Sequence, residues 1–262
     1  VNDVLNIAST NTLSLNVRLE DGLNMSTSGT GTLTTTSTST TNIPASITWT
    51  MSVNYAASSA QRIQTGVYQD LNATGGNRTI ATNASISING IFTAGLGTYT
   101  INSGATIDFA ANGTLSIPNL PYQNLTISGT GTKTMTTDLT IAGALVISNS
   151  NADLYINGNT LTLNGNGSSF TGDLIGSSTS NLTIGGSLGS SPTIKFHTGS
   201  NTLRDLTLNR TGTSAGVTLG SDITIVRRLV LTNGSLNLGN QTLTLQSTSI
   251  SSTAQVAAVG SG

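Results

Sequence analysis

The sequence predicts an all-β chain: a single elongated parallel β-helix (a β-solenoid), right-handed, with about a dozen coils at roughly 20 residues per coil. Three observations carry that expectation. A leucine/isoleucine–polar–leucine/isoleucine phrase recurs nine times, a longer register repeats across three segments, and no stretch spaces its apolar residues as a helix would. The phrase stands at Leu125/Ile127, Leu139/Ile141, Leu154/Ile156, Leu161/Leu163 and Leu182/Ile184, then at Leu206/Leu208, Ile223/Ile225, Leu236/Leu238 and Leu243/Leu245. Apolar residues at i and i+2 share one strand face, with the residue between them facing out. One such strand cannot bury its apolar face alone. Stacked copies build one long core.

Taken in order, residues 1–60 read as N-terminal β-rich coils. Within them, residues 26–42 form a Ser/Thr-rich run anchored only by Leu33, which reads as a mobile, exposed excursion or an outer strand. Trp49 lies between Thr48 and Thr50 in alternation with Ile47 and Met51; it could face outward and is the one candidate for a ligand or subunit contact. Residues 61–250 read as the repetitive solenoid. In two of its segments, apolar residues follow Met135 and Leu219 at the same offsets, giving Leu139, Ile141, Leu145 and Ile147 beside Ile223, Ile225, Leu229 and Leu231. A third copy opens at Tyr68 and needs a two-residue slip. Tyr68 and Tyr122 open equivalent copies where Leu203 opens the other, an exchange that suits core packing better than sugar stacking. Residues 251–262 read as a C-terminal tail or linker.

Asn-Gly pairs at Asn89, Asn112, Asn157, Asn164 and Asn233 leave a second architecture open. Asn-Gly is the strongest short hairpin signal, so Leu154 to Leu161 could be drawn as an antiparallel hairpin in a string of β-sandwiches. In a solenoid the same pair turns the corner between two sheets. The solenoid is favoured, because stacked equivalent coils explain why similar residues recur.

Composition narrows the function. Charged residues make up 7% of the chain, against about 25% in ordinary globular proteins, so the surface is built from hydroxyls and amides. A net charge of −1 provides no cationic field for nucleic acid. No apolar run approaches the ~20 residues of a membrane span. Cysteine is absent, so stability must come from packing and hydrogen-bond ladders. The basic pair Arg227-Arg228 falls between two strand phrases and reads as an exposed turn.

Candidate chemistry is sparse. Asp138, Asp153, Asp205 and Asp222 each precede a strand phrase at a place where Asn124 and Asn181 stand elsewhere. An amide cannot replace a catalytic carboxylate, but it can replace a turn cap, so these residues read as caps. Where they stack on adjacent coils, their like charges should raise one another's pKa values. A lone His197 with no cysteine offers too few nitrogen and sulfur ligands for a zinc site. No nucleophile elbow, phosphate loop or Asp-rich calcium repeat appears. No catalytic residue, metal site or cofactor is therefore expected, and the chain is expected not to be an enzyme.

The stretches from Tyr122 to Gly165 and from Asn201 to Thr248 resemble the Gly/Thr/Asn-rich repeats of very large secreted bacterial surface proteins. The Tyr-x-Asn-Leu-Thr phrase at Tyr122, the Gly-Thr-Lys-Thr turn at Gly131 and the Thr-Leu-Thr-Leu ending at Thr242 carry the likeness. Ser28 to Tyr55 is similar to the region that precedes such repeats. The resemblance implies a parallel β-helix adhesin or filament: a non-catalytic structural or adhesive protein, extracellular or on the bacterial cell surface. It also implies end-to-end self-association or flanking modules of a longer chain, and surface glycans as partners. Two rivals share the architecture, a polysaccharide-binding or polysaccharide-cleaving β-helix, and ice binding through the outward threonines at 140, 162, 183, 207, 224 and 244.

Overall fold

The computed structural model describes residues 4–20, 25–187, 192–212 and 215–246, and 255–257 by backbone alone. Among these residues every strand pair is parallel and no helix occurs, and the strands stack as a β-solenoid of about 11 turns. The chain divides into two compact units, Val1–Asn112 and Gly113–Gly262.

In the first unit one ladder runs through Thr12–Leu15, Thr32–Thr35, Ile47–Tyr55, Gly66–Ala73 and Ser85–Ile88 to Thr106–Phe109. A second ladder joins Gln61–Ile63, Arg78–Ile80 and Tyr99–Ile101. The register puts like on like: Leu33 on Val53 on Leu71, Ile86 on Ile107, and Ile63 on Ile80 on Ile101. All of these are buried.

Of the two readings of the Ser/Thr-rich run, strand rather than excursion is found. Ser26–Ser28 and Thr32–Thr35 are strands of the coil, and Leu33, Thr35, Asn42 and Ile43 are buried. Buried amides hold the run where apolar side chains are scarce. Gln61 Nε2 donates to the carbonyls of Thr35 and Ser37 at 3.0 and 2.9 Å, and Gln64 Nε2 donates to Thr40 O at 2.7 Å.

In the second unit each of the early turns supplies one strand to each of three parallel sheets, whereas the later turns alternate between two. Asn124–Ile127, Gly131–Met135 and Leu139–Ile141 make one turn; Leu145–Ile147, Ala152–Tyr155 and Thr160–Leu163 lie over them. Six of the nine strand phrases share one of these sheets. Its core column is Leu139, Leu161, Leu182, Leu206 and Leu229, each at most 4% exposed. Burying each such side chain contributes about 1.5–3 kcal/mol, and the next coil closes the face that a single coil would leave wet.

Most of the Asn-Gly pairs turn corners, Asn89-Gly90 alone joining two strands of one sheet. Asn157 and Gly158 are both left-handed (φ 53° and 75°) between Ala152–Tyr155 and Thr160–Leu163, which belong to different sheets, so no hairpin forms here. Asn is among the few side-chain-bearing residues that enter this region readily. Gly186 (φ 91°) is required twice over, since a Cβ there would meet Asn164 O at 1.8 Å. Tyr68 and Tyr122 are fully buried at corners, as the exchange with Leu203 implied. The Tyr68 hydroxyl donates to Gln64 O at 2.7 Å, so the Tyr55 hydroxyl must donate in their 2.9 Å contact. Burial pushes the Tyr55 hydroxyl up to about 12 and raises Tyr68 well above its ordinary value.

Part of the expected C-terminal tail is also in the sheet. Residues 255–257 pair with Arg228, Leu229 and Val230; the rest of that segment lies outside the described residues.

Candidate functional site

Three of the six Asx residues before the strand phrases, Asp138, Asp222 and Asn124, cap the following coil, as Asp70 and Asn77 also do. Asp138 Oδ1 accepts the backbone N–H of Thr160 at 2.8 Å, and Asp222 Oδ1 accepts that of Thr242 at 2.7 Å. Asn124 Oδ1 accepts the N–H of Ala144 at 2.9 Å, Asp70 Oδ1 that of Ile91 at 2.8 Å, and Asn77 Oδ1 that of Thr98 at 3.0 Å. Each acceptor reaches the following coil rather than its own turn. Carboxylate and amide oxygens do the job alike.

Three cations are buried and serve the same ladder. Lys133 stacks between Leu115 and Leu154, and its Nζ donates to Gly113 O and Thr130 O, both at 2.9 Å. Arg78 donates to the carbonyls of Tyr55, Ala57 and Asn77. Arg210 donates to the carbonyls of Gly165 and Gly185 and to Asn166 Oδ1. Burial lowers the pKa of all three, yet hydrogen bonds to corner carbonyls keep their charge compensated.

Arg227 and Arg228 are not a turn. They lie inside the strand Ile223–Asn233 at a bulge, where the register shifts between Leu203 and Asp205 of the neighbouring strand. Burial alone would raise the Asp205 carboxyl, but Arg227, with Arg228 and Arg204 nearby, holds it below the usual range.

One group of ionisable side chains is gathered largely apart from the ladder, Lys195 Nζ alone donating to Thr171 O at 3.3 Å. Leu154, Leu174 and Phe196 stack inward, so Asp153, Asp173 and Lys195 stack outward on successive coils. His197 reaches back across them, its Nδ1 at 3.6 Å from Asp153 Oδ1 and 3.7 Å from Asp173 Oδ2. Lys195 Nζ lies 2.9 Å from Asp173 Oδ1; this oxygen is shut off from solvent and the contact is off-line for a hydrogen bond, so it is a pairing of charges. Burial raises the Asp153 carboxyl; His197 opposes that rise, and the stacked Asp173 adds to it. Asp153, Asp173 and His197 offer ligand atoms within 4.8 Å of one another, but the Lys195 ammonium already neutralises part of that charge. A polar groove of about 390 Å³ continues past Asp173 and Lys195 along Asn201, Ser221, Asp222 and Gln241.

Trp49 is not at any surface site. It is 1% exposed in the strand Ile47–Tyr55, on the inward face with Ile47 and Met51, against the expectation of an outward contact. Residues at i±2 share a face, so two apolar neighbours at that spacing draw the indole in with them. The outward threonines split: Thr140, Thr162, Thr183 and Thr207 form one column that ends at Val230, while Thr224 and Thr244 stand in register with Thr202. The gathering of Asp153, Asp173, Lys195 and His197 was missed. Its signal was their spacing of one coil, which becomes readable only once the coil length is known.

No protein-family model, curated protein or solved structure matches the chain.

Proposed function

We propose that the chain is a non-catalytic structural or adhesive β-solenoid that works outside the cell, as a stalk, a surface adhesin segment or a filament subunit. The observation that carries this reading is the exchange of Asp for Asn in one task. Asp138, Asp222 and Asp70 accept the next coil's N–H as Asn124 and Asn77 do. A general acid or base must change its protonation state, which an amide cannot do. Buried Arg78, Lys133 and Arg210 are likewise engaged with backbone carbonyls. A surface of hydroxyls and amides carries few charges to be screened by salt or altered by pH, which suits a scaffold exposed to changing surroundings. End-to-end stacking or flanking modules would cover the terminal coils, and surface glycans are the contacts such a scaffold would make.

One observation favours a second reading, a β-helix that binds or cleaves polysaccharide. Asp153 and Asp173 stack beside a polar groove with His197 within reach. Incubation with neutral and uronic acid polysaccharides, followed by release of reducing ends and of unsaturated products, separates the two. The scaffold reading expects no turnover. Turnover abolished by Asp153→Asn would replace it with the second.

A further inference from the structure

We propose that a groove beside Arg62 in the first unit binds a carboxylate-bearing saccharide, the guanidinium taking a uronate carboxylate and the surrounding threonines its hydroxyls. This deepens the adhesive reading and rests on it, by naming the class of ligand.

Arg62 sits in the middle of the strand Gln61–Ile63. Gln61 and Ile63 are 2% and 1% exposed, so alternation turns Arg62 outward, in register with Thr79 and then Thr100. The groove there measures about 440 Å³, within the roughly 300–1,000 Å³ usual for ligand sites. Arg62, Thr79, Thr82 and Asn102 line it, facing Thr38 and Thr40. The second wall is the Ser/Thr-rich run, and it is fixed in advance. Gln61 and Gln64 grip its carbonyls, and Asn42 Nδ2 donates to Arg62 O at 2.9 Å, so little order is left to impose when a ligand enters. Asn102 Nδ2 is tied to Ile80 O at 2.9 Å, which leaves its Oδ1 as an acceptor.

The guanidinium is set apart from most other cations of the chain. Arg18, Lys195, Arg227 and Arg228 face carboxylates, while Arg78, Lys133 and Arg210 hold backbone carbonyls. Among the described residues, Arg62 pairs with no acid and its side chain donates no hydrogen bond, although its Nε is shut off from solvent. A buried donor without a partner is unfavourable, and an anion in the groove would supply one. A planar fork of N–H groups matches a planar carboxylate. One cation suits a singly charged group, whereas phosphorylated ligands call for clusters of arginine. The remaining lining of hydroxyls and an amide exchanges hydrogen bonds with sugar hydroxyls. Ala60 and Ala81 add apolar lining for the C–H face of a sugar ring.

The test is calorimetric titration with a uronic acid oligosaccharide, its methyl ester, and a sulfated oligosaccharide of equal length. Wild type is compared with Arg62→Gln, Arg62→Lys and, as a charge control outside the groove, Arg204→Gln, each checked for an unchanged melting temperature. The free uronate should bind, with the ester and Arg62→Gln each weaker by about tenfold or more, Arg62→Lys intermediate, and Arg204→Gln unchanged. Equal binding of the ester, an unaffected Arg62→Gln, a loss as large in Arg204→Gln, or binding of the sulfated chain alone would overturn the proposal. Absence of both binding and cleavage overturns the site and leaves the scaffold reading. Cleavage of a ligand whose binding needs Arg62 overturns the non-catalytic reading and leaves the site.

Discussion

Arg227 grips Asp205 across one coil boundary: its Nε donates to Oδ1 at 2.8 Å and its Nη2 to Oδ2, while Arg228 Nε stands 3.7 Å from the same Oδ1. A bulge makes this possible. Leu203 pairs with Ile225 but Asp205 pairs with Arg228, so the arginine strand carries one residue more and both cations turn toward one carboxylate. In the coil before, Asn181 holds the place of Asp205, so the position accepts an amide when no cation faces it.

Asp205→Asn should therefore fold and lose stability. The guanidiniums are 43% and 51% exposed, so solvent screens the pair and the expected loss is about 1–2 kcal/mol at neutral pH. The folded carboxyl titrates below its unfolded value of ~3.9. Its contribution is thus complete above that pH and fades as pH falls through the folded value. Urea unfolding at pH 7 and at successively lower pH should show the gap between wild type and variant closing in acid. A gap that persists unchanged in strong acid would mean the pair is not its source.

Lys133 tests whether buried cations serve the backbone. Replacing it with methionine keeps a stem of similar length between Leu115 and Leu154 but removes the Nζ donor from Gly113 O and from Thr130 O, the latter keeping the N–H of Gly113. The expected cost is about 1–3 kcal/mol, read as a lower urea midpoint with an unchanged slope. A neutral outcome would show that water satisfies those carbonyls equally well.

Asp138 separates acceptor from acid. Asp138→Asn retains an oxygen for the Thr160 N–H and should change stability by less than ~0.5 kcal/mol, whereas Asp138→Ala removes it and should cost about 0.5–1.5 kcal/mol. Thermal unfolding of the two variants decides. Equal losses would assign Asp138 a role that depends on its charge.

The stacked core was legible because its signal is local. A pair such as Leu182 and Ile184 fixes which face is inward with no knowledge of what lies over it. Corners were legible at Asn157-Gly158 for the same reason, although the choice between corner and hairpin needed the neighbouring coils. What crosses coils was not legible. Asp138 names its partner only when Thr160 is known to lie over it, and Arg227 finds Asp205 only through a bulge that no local pattern announces. The Ser/Thr-rich run looked unanchored because its anchors, Gln61 and Gln64, lie in a later coil and are polar. The same distance in sequence hid the groove at Arg62, whose walls come from separate coils.

Trp49 is the sole tryptophan, which makes its burial directly measurable. It stacks in register on Tyr68, itself fully buried, and the indole is 1% exposed. Its Nε1 has no hydrogen-bond partner among the described residues and lies 3.7 Å from where a Cβ on Gly66 would stand. The ring thus holds its place by apolar contact alone. Trp49→Phe breaks no hydrogen bond and should be tolerated far better than Trp49→Ala, for which a loss of about 3–5 kcal/mol is expected. In the native protein, emission should be blue-shifted and quenched many-fold less by acrylamide or iodide than in the urea-unfolded chain. Saccharides that occupy the Arg62 groove should leave that emission unchanged. Quenching as strong in the native state as in the unfolded one would return Trp49 to the surface and overturn the inward register of the strand Ile47–Tyr55.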